Sequence, residues 1–267
     1  MCTEDKTRAL WELLASFEDL LIAFSGGVDS SVLVHAAAGT LGPRAVAVIG
    51  DSPSLPRREL ESARAFAAEC GVRCEVLPTN ELALEGYRRN DGQRCYFCRH
   101  TLFETMEGWA RTHGFRTLAY GEITDDLVEP RLGRVAAAEL AVRAPLREAG
   151  FSKTDVRAYA RAHALAVAEK PAAACLASRL PLGTSVTRER LARIEAAEDA
   201  LQTLALGLLR VRDHGSHARV EVAAEDLERA SSLEPELRAG LAPFGFETLE
   251  LAAYTRSTVP SANTQSR

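Results

Sequence analysis

The sequence predicts an α/β protein with a doubly wound parallel sheet, followed by a small carboxyl-terminal α+β unit. Two observations carry this expectation. Short apolar runs alternate with stretches of helical periodicity over residues 1–185, the pattern of parallel strands joined by crossover helices. Past Val186 the texture changes to a long Ala/Glu/Arg stretch and short alternating segments. This sets one domain at 1–185 and a second at 186–254, and leaves 255–267 as a polar tail expected to be disordered.

The elements follow in order. Leu10-Trp11-Glu12-Leu13-Leu14 reads as part of an amphipathic helix. Leu20 to Phe24 is apolar and stops at a Ser-Gly-Gly turn, which predicts a buried strand, with a helix from Asp29 turning Val32, Leu33 and Ala36 inward. Ala45 to Ile49 is a second buried strand, Arg57 to Glu69 a helix closed near Gly71, and Arg73 to Leu77 a third strand. A helix around Leu102 to Thr112, a strand Thr117 to Tyr120 and a helix Lys153 to His163, capped by Ser152, continue the alternation. Arg188 to Leu206 is then one long helix, Leu209 to Asp213 and Ala218 to Val222 are short strands, and a further helix precedes the strand Thr248 to Leu251.

Composition narrows the function. At 267 residues, 46% hydrophobic and 26% charged, the chain is too apolar for disorder, and no stretch approaches the roughly 20 uncharged apolar residues of a membrane span. The amino-terminal segment lacks a signal-peptide core, so a cytoplasmic protein with no membrane partner is expected. The net charge of -5 argues against nucleic acid as a partner, as do the 10 basic and 13 acidic residues of 186–267. Six cysteines are too few for a disulfide scaffold at this length, so close pairs read as metal ligands or reactive thiols. Only Lys6, Lys153 and Lys170 among the 32 basic residues are lysines, so a lysine inside a motif carries weight.

The most informative segment is Ser25-Gly26-Gly27-Val28-Asp29-Ser30-Ser31, between a predicted strand and a predicted helix. Two glycines let the backbone approach an anion, the N–H groups of the helix start point at it, and hydroxyls add donors. Ser25, Gly26, Gly27, Asp29 and Ser30 are therefore candidates to hold a phosphate group, with Asp29 orienting the loop or holding Mg²⁺. The Walker ending Gly-Lys-Ser/Thr is absent, and a plain capped turn is the competing reading. The segment resembles the PP-loop ATP pyrophosphatase superfamily, whose signature is Ser-Gly-Gly-x-Asp-Ser. The resemblance implies an adenine nucleotide alpha hydrolase-like fold and ATP split between its α- and β-phosphates to adenylate a substrate. Ser52 follows the second strand at the carboxyl edge, where such sheets bind ligands, so Gly50 to Ser52 could border the adenosine; a plain loop is the competing reading. Pro145 to Arg157 resembles the superfamily's Pro-Leu…Lys…Val-Arg segment, whose lysine, here Lys153, approaches the polyphosphate; a solvated first-turn lysine is the alternative.

Cys95-Tyr96-Phe97-Cys98 is a Cys-x-x-Cys, and Cys175 stands far downstream. Such a pair alone can bind zinc, bind an iron–sulfur cluster, form a redox disulfide or be incidental. Zinc wants four ligands and no second pair exists, whereas three thiolates suit a 4Fe–4S cluster with one open iron. Cys175 could instead be a catalytic nucleophile or sulfur donor, with Arg179 nearby. Cys70 and Cys74 read as small buried residues, and His35, His113 and His163 as packing or surface residues.

Four segments together resemble the LarE family of ATP-dependent sulfur transferases: Ser25 to Ser31, Gly121 to Asp126, Lys153 to Arg157, and Cys175-Leu176-Ala177-Ser178-Arg179-Leu180-Pro181-Leu182-Gly183-Thr184. Arg210 to His214 and Ala218 to Glu221 match as well. The resemblance implies that ATP adenylates a carboxylate of pyridinium-3,5-biscarboxylic acid mononucleotide, which becomes a thiocarboxylate in nickel-pincer cofactor synthesis. Cys95, Cys98 and Cys175 place the chain with the three-cysteine kind, which uses sulfide from a 4Fe–4S cluster. The expected partners are the pyridinium mononucleotide, a sulfide or sulfur donor, and further copies of the chain in a homo-oligomer. Ser178, Arg179, Arg210 and Arg212 are the candidate substrate residues, because arginine forks suit phosphate and carboxylates, and Arg210 and Arg212 share one side of a strand. Glu198, on the long helix, could meet these arginines or a metal, with surface charge as the favoured reading. Gly121-Glu122-Ile123 departs from the family's Gly-Thr-Asn, and Leu182 from its Tyr. A tRNA thiolase, an amide-forming synthetase and a non-catalytic nucleotide- or iron-binding module are the competing readings.

Overall fold

In the computed structural model, which describes residues 2–127, 132–171 and 174–255, the apolar runs of the first half become strands. The chain runs α1 (Thr3–Ala15), β1 (Leu20–Ala23), α2 (Val28–Leu41), β2 (Ala45–Asp51), α3 (Arg57–Glu69), β3 (Arg73–Pro78), α4 (Glu85–Arg88), α5 (Arg94–His113) and β4 (Leu118–Tyr120). It continues through α6 (Leu132–Glu139), α7 (Pro145–Glu148), α8 (Lys153–Ala162), α9 (Arg188–Ala200), β5 (Leu209–His214), β6 (His217–Val222), α10 (Leu227–Ser232), α11 (Glu234–Leu241) and β7 (Thr248–Ala253). Contacts group the described residues into two units, those of 2–81 and 95–171, and those of 82–94 and 174–255. Among the described residues no helix is long and apolar enough to cross a membrane.

In the first unit four parallel strands lie in the order β3-β2-β1-β4. Successive side chains of a strand point to opposite faces, and both faces are covered. Leu20, Ile22, Ala45, Ala47 and Ile49 meet Leu14 of α1, Val32 of α2, Phe66 of α3 and Val156 of α8. Leu21, Val46 and Val48 meet Phe103 and Met106 of α5 and Ala136 of α6. Burial on both faces is why β1 and β2 read as unbroken apolar runs. From β1 the chain adds strands outward to β3 and then returns to the far side of β1 with β4. The switch point, where open α/β sheets bind ligands, is therefore at the carboxyl ends of β1 and β4.

β3 pairs with β2 alone and is half-exposed along most of its length, so Cys74 is half-buried, where a buried strand was expected. Partial burial still pushes the Cys70 and Cys74 thiols up, which fits inert packing residues. α5 begins at Arg94, well before the helix expected around Leu102, after a turn in which Asp91 accepts from the backbone of Gln93 and Arg94. The Cys-x-x-Cys thus occupies a first helical turn.

Ser152 caps α8 as expected, and the third residue completes a capping box. The Asp155 carboxylate accepts from Ser152 N at 2.9 Å, Ser152 Oγ at 2.6 Å, Thr3 Oγ1 at 2.7 Å and Lys6 Nζ at 2.6 Å. Burial alone would raise this carboxyl, but these donors hold it well below the usual carboxylate range. The folded value lies below the unfolded one, so the resulting stability is complete above the unfolded pKa of about 4 and is lost as pH falls towards the folded value. Thermal melting should therefore fall more steeply with acid below about pH 4 in the wild type than in Asp155→Asn. Parallel curves would show that the four donors leave stability unlinked to this proton.

In the second unit β5 and β6 form an antiparallel hairpin across Gly215-Ser216, with Gly215 at φ +83° as so short a loop demands. β7 lies parallel to β6, which requires a crossover, supplied by α10 and α11. Val211, Val220 and Val222 pack with Ala197, Leu201, Leu237 and Leu241. The helix expected to reach Leu206 ends as α9 at Ala200; a 3₁₀ turn over Leu201–Leu204 follows, and Ala205 at φ +52° stops it. The segment 82–94 is tied to this unit through Asn90, fully buried at φ +53°. Its Nδ2 donates to Pro181 O at 2.8 Å, its carbonyl accepts from Gly183 N at 3.0 Å, and Arg88 O accepts from Val186 N at 2.9 Å. The Cys175 to Thr184 block, assigned from sequence to the first domain, is grouped with these residues. The tail expected from residue 255 lies, from 256 on, outside the described residues.

Candidate functional site

At the end of β1 the ladder holds Phe24 through its N–H, which donates to Val48 O at 2.8 Å, and then the chain must leave the sheet. Gly26 turns it at φ +69°, a region that favours glycine. A side chain there would also collide with Ala63 of α3, whose Cβ lies 2.9 Å from the Cβ position. Gly27 caps α2 without a side-chain hydrogen bond, which leaves the helix start to an incoming anion. Two serines brace the loop from within: Ser30 Oγ lies 3.1 Å from Ser25 Oγ and from Gly27 O. Gly121, just past β4, approaches so closely that a Cβ would stand 2.8 Å from Ser30 N. The loop and the end of β4 thus meet at the switch point.

Asp29 lies one residue inside α2. Burial raises its carboxyl, and Lys153 pulls it back with Nζ at 2.7 and 2.6 Å from the two oxygens. Its folded pKa is above the unfolded one, so stability is complete below the unfolded value and declines as pH rises through the folded one. An ionised Asp29 is thus held at some expense to the fold, as is common for groups at functional sites. Lys153, which sequence left between polyphosphate ligand and solvated residue, is fixed at both ends, since its N–H donates to Asp125 Oδ2 at 2.6 Å. Ser52 is buried at the end of β2, where its Oγ accepts from Ser54 N at 3.2 Å. Sequence reasoning missed Lys170, whose Nζ is 3.1 Å from Gly26 O and 2.7 Å from Glu59. Its rarity as a lysine was the available signal.

The departure at Glu122 also has a structural account. Glu122 is buried beside the guanidiniums of Arg147 and, at 3.9 Å, Arg134. Burial and then Glu122 push the Tyr120 hydroxyl far up. His35 packs on Tyr159 and His163, and His113 stacks on Trp109, as expected of packing residues.

In the second unit Cys175 opens a 3₁₀ turn, Leu176–Arg179. Its carbonyl accepts from Ser178 N at 2.9 Å, Ser178 Oγ at 2.7 Å and Arg179 Nη1 at 3.0 Å. Arg179 is 2% exposed, and its Nε and Nη2 donate to the two carboxylate oxygens of Glu198 at 2.9 and 3.2 Å. Nη1 donates to Ala174 O at 2.6 Å as well. Glu198 is therefore no surface charge: it lies on the inner side of α9 and also accepts from Val211 N at 3.0 Å. The guanidinium expected to meet substrate holds the turn that carries Cys175. Arg210 and Arg212 share the half-exposed face of β5. Arg212 donates to Glu221 at 2.9 and 2.7 Å and to Ser178 O at 2.5 Å.

Cys95 and Cys98 lie one turn apart on α5, hence on one helix face. Cys95 is exposed, Cys98 and Cys175 are half-exposed, and no disulfide joins any of the six cysteines. Cys95 and Cys98 belong to the first unit and Cys175 to the second. Among the described residues no three His, Cys, Asp or Glu side chains are gathered as for a metal ion. Within the second unit, Arg94 Nη1 donates to Ala177 O at 2.6 Å.

No protein-family model matches the chain. It is 30% identical over 248 residues, 91% of this chain and 90% of the other, to the pyridinium-3,5-bisthiocarboxylic acid mononucleotide synthase of Lactiplantibacillus plantarum. An uncharacterized protein of Synechocystis is 38% identical over 226 residues, 85% of this chain and 84% of its own. An uncharacterized protein of Methanocaldococcus jannaschii is 26% identical over 231 residues, 85% and 86% of the two chains.

Proposed function

The chain belongs to the LarE family of PP-loop sulfur transferases, and from that premise we propose that it converts a carboxylate of pyridinium-3,5-biscarboxylic acid mononucleotide into a thiocarboxylate at the expense of ATP. The observation that carries the reading is the Ser25–Ser31 loop at the switch point, packed against Gly121 and flanked by Lys153 on Asp29.

The chemistry divides into two displacements. A substrate carboxylate oxygen attacks the α-phosphorus of ATP, the bond to the bridging oxygen breaks, and pyrophosphate leaves. A sulfur nucleophile then attacks the acyl carbon, a C–S bond forms, the C–O bond breaks, and AMP leaves with the electron pair. In the first step the loop amides and Lys153 bind the departing pyrophosphate. Asp29 would hold Mg²⁺, which neutralises phosphate charge when bound. Arg210 and Arg212 would orient the anionic groups of the mononucleotide.

Cys95 and Cys98 fit a 4Fe–4S cluster as two accessible thiols one helical turn apart, and Cys175 would be the third ligand. Such a cluster supplies sulfide when bound. Arg179 keeps the Cys175 turn in shape through the carbonyls of Ala174 and Cys175. An RNA substrate is disfavoured by the acidic balance of 186–267.

Anaerobic reaction with ATP, the dicarboxylate mononucleotide and sulfide, followed by mass analysis, should give the thiocarboxylate with AMP and pyrophosphate. Cys175→Ala should keep substrate-dependent exchange of labelled pyrophosphate into ATP while losing sulfur transfer. ATP cleavage indifferent to the mononucleotide would reject the substrate. Full iron content and transfer in Cys95→Ala would reject the cluster.

A further inference from the structure

We infer that Lys170 is a second ammonium of the pyrophosphate cradle, contacting the β- and γ-phosphates of ATP from the Gly26 side of the loop as Lys153 does from the Asp29 side. The inference rests on the ATP reading above. It adds a residue that lies outside the loop and outside the segment carrying Lys153.

Lys170 follows α8 in a stretch whose backbone is fixed. Its N–H donates to Val167 O at 3.0 Å, and Arg157 donates to Ala168 O at 2.5 Å and to Lys170 O at 3.4 Å. The side chain, 19% exposed, reaches the phosphate loop and sets Nζ between Gly26 O and Glu59. An ammonium has three donors; Gly26 O accepts from one of them, and Glu59 faces the charge as an ion-pair partner at 2.7 Å. Gly26 O belongs to the turn of the loop, so the charge already stands beside the place where an anion would meet the loop amides.

The electrostatics call for a mobile cation here. Lys153 with Asp29 and Lys170 with Glu59 are each neutral pairs. A triphosphate entering between them adds several negative charges and competes with both carboxylates for their ammonium groups. Lysine suits that exchange, because it is a compact charge on a flexible stem, whereas a guanidinium is a fixed planar fork. The chain uses lysine at three of its 32 basic positions. Two of the three touch this loop, and the third, Lys6, holds the carboxylate that caps the helix bearing Lys153. Arginine serves everywhere else.

The scarcity of lysine makes the test clean. Amine-directed labelling of the full chain, read by peptide mass, reports Lys6, Lys153 and Lys170 separately. Inorganic pyrophosphate should protect Lys153 and Lys170 and leave Lys6 unchanged. In calorimetry, Lys170→Gln should bind pyrophosphate and ATP about 10- to 100-fold more weakly, as expected for a hydrogen bond to a charged group, and AMP as before. Protection of Lys153 without Lys170, unchanged pyrophosphate affinity, or an equal loss for AMP would each overturn the inference while leaving the ATP reading intact. A wild-type chain that binds neither ATP nor pyrophosphate would instead remove the ATP reading, and this assignment with it.

Discussion

Glu198→Ala should destabilise the second unit by about 3–5 kcal/mol, the range found when one partner of a buried ion pair is removed. Both side chains of the Arg179–Glu198 pair are 2% exposed. Truncation would leave a guanidinium with no carboxylate in a site water hardly reaches, and would remove the acceptor of the Val211 N–H. Unpaired buried charge, more than the lost attraction, sets the size of the effect. Urea unfolding of the wild type and the variant measures it directly. A loss under about 1 kcal/mol would show that solvent or another acceptor replaces the carboxylate. The double variant Arg179→Met, Glu198→Leu separates stability from function: it should recover the part of the loss that comes from unpaired charge, because an apolar pair of similar volume buries none, while the Val211 N–H stays without its acceptor. It should still fail to transfer sulfur, since the Arg179 donation to Ala174 O would be lost and the Cys175 turn would loosen.

This pair also marks where the sequence stops being readable. Periodicity located β1, β2, α3 and α8 closely, because both faces of the sheet are covered and local pattern and tertiary burial agree there. The phosphate loop was legible for a similar reason, as its glycines, serines and position are all local. Glu198 was legible only as an alternative to surface charge, because its partner stands 19 residues away and a charged residue on a polar helix reads as solvated. The start of α5 was hidden by its first turn, Arg94-Cys95-Tyr96-Phe97-Cys98, whose residues look like a metal-binding loop in isolation. The half-exposure of β3 depends on strand order, which no strand carries in its own pattern. The grouping of 82–94 with the second unit rests on Asn90 and Arg88 carbonyls, and backbone acceptors leave no mark on composition.

Gly121→Ala should weaken ATP binding by about 100-fold while leaving the first unit folded, on the scale of losing a hydrogen bond to a charged group. The added methyl would stand 2.8 Å from Ser30 N, 2.9 Å from Ser30 Cα and 3.1 Å from the Asp29 carbonyl carbon. These are backbone atoms, so no side chain can swing aside. The start of α2 must move, carrying with it the loop amides and the Asp29 carboxylate that Lys153 holds. The sheet can absorb the shift, because Gly121 lies beyond the last paired residue of β4. A second glycine controls for the chemistry of the change. Gly39 lies inside α2 with nothing within 4 Å of a Cβ, so Gly39→Ala should leave ATP affinity alone and gain about 0.5–1 kcal/mol of stability from helix propensity. If Gly121→Ala binds ATP like Gly39→Ala, the close approach of β4 to α2 does not shape the nucleotide site. If instead both variants lose affinity, the defect comes from α2 as a whole, and the loop geometry at the switch point is not what decides binding.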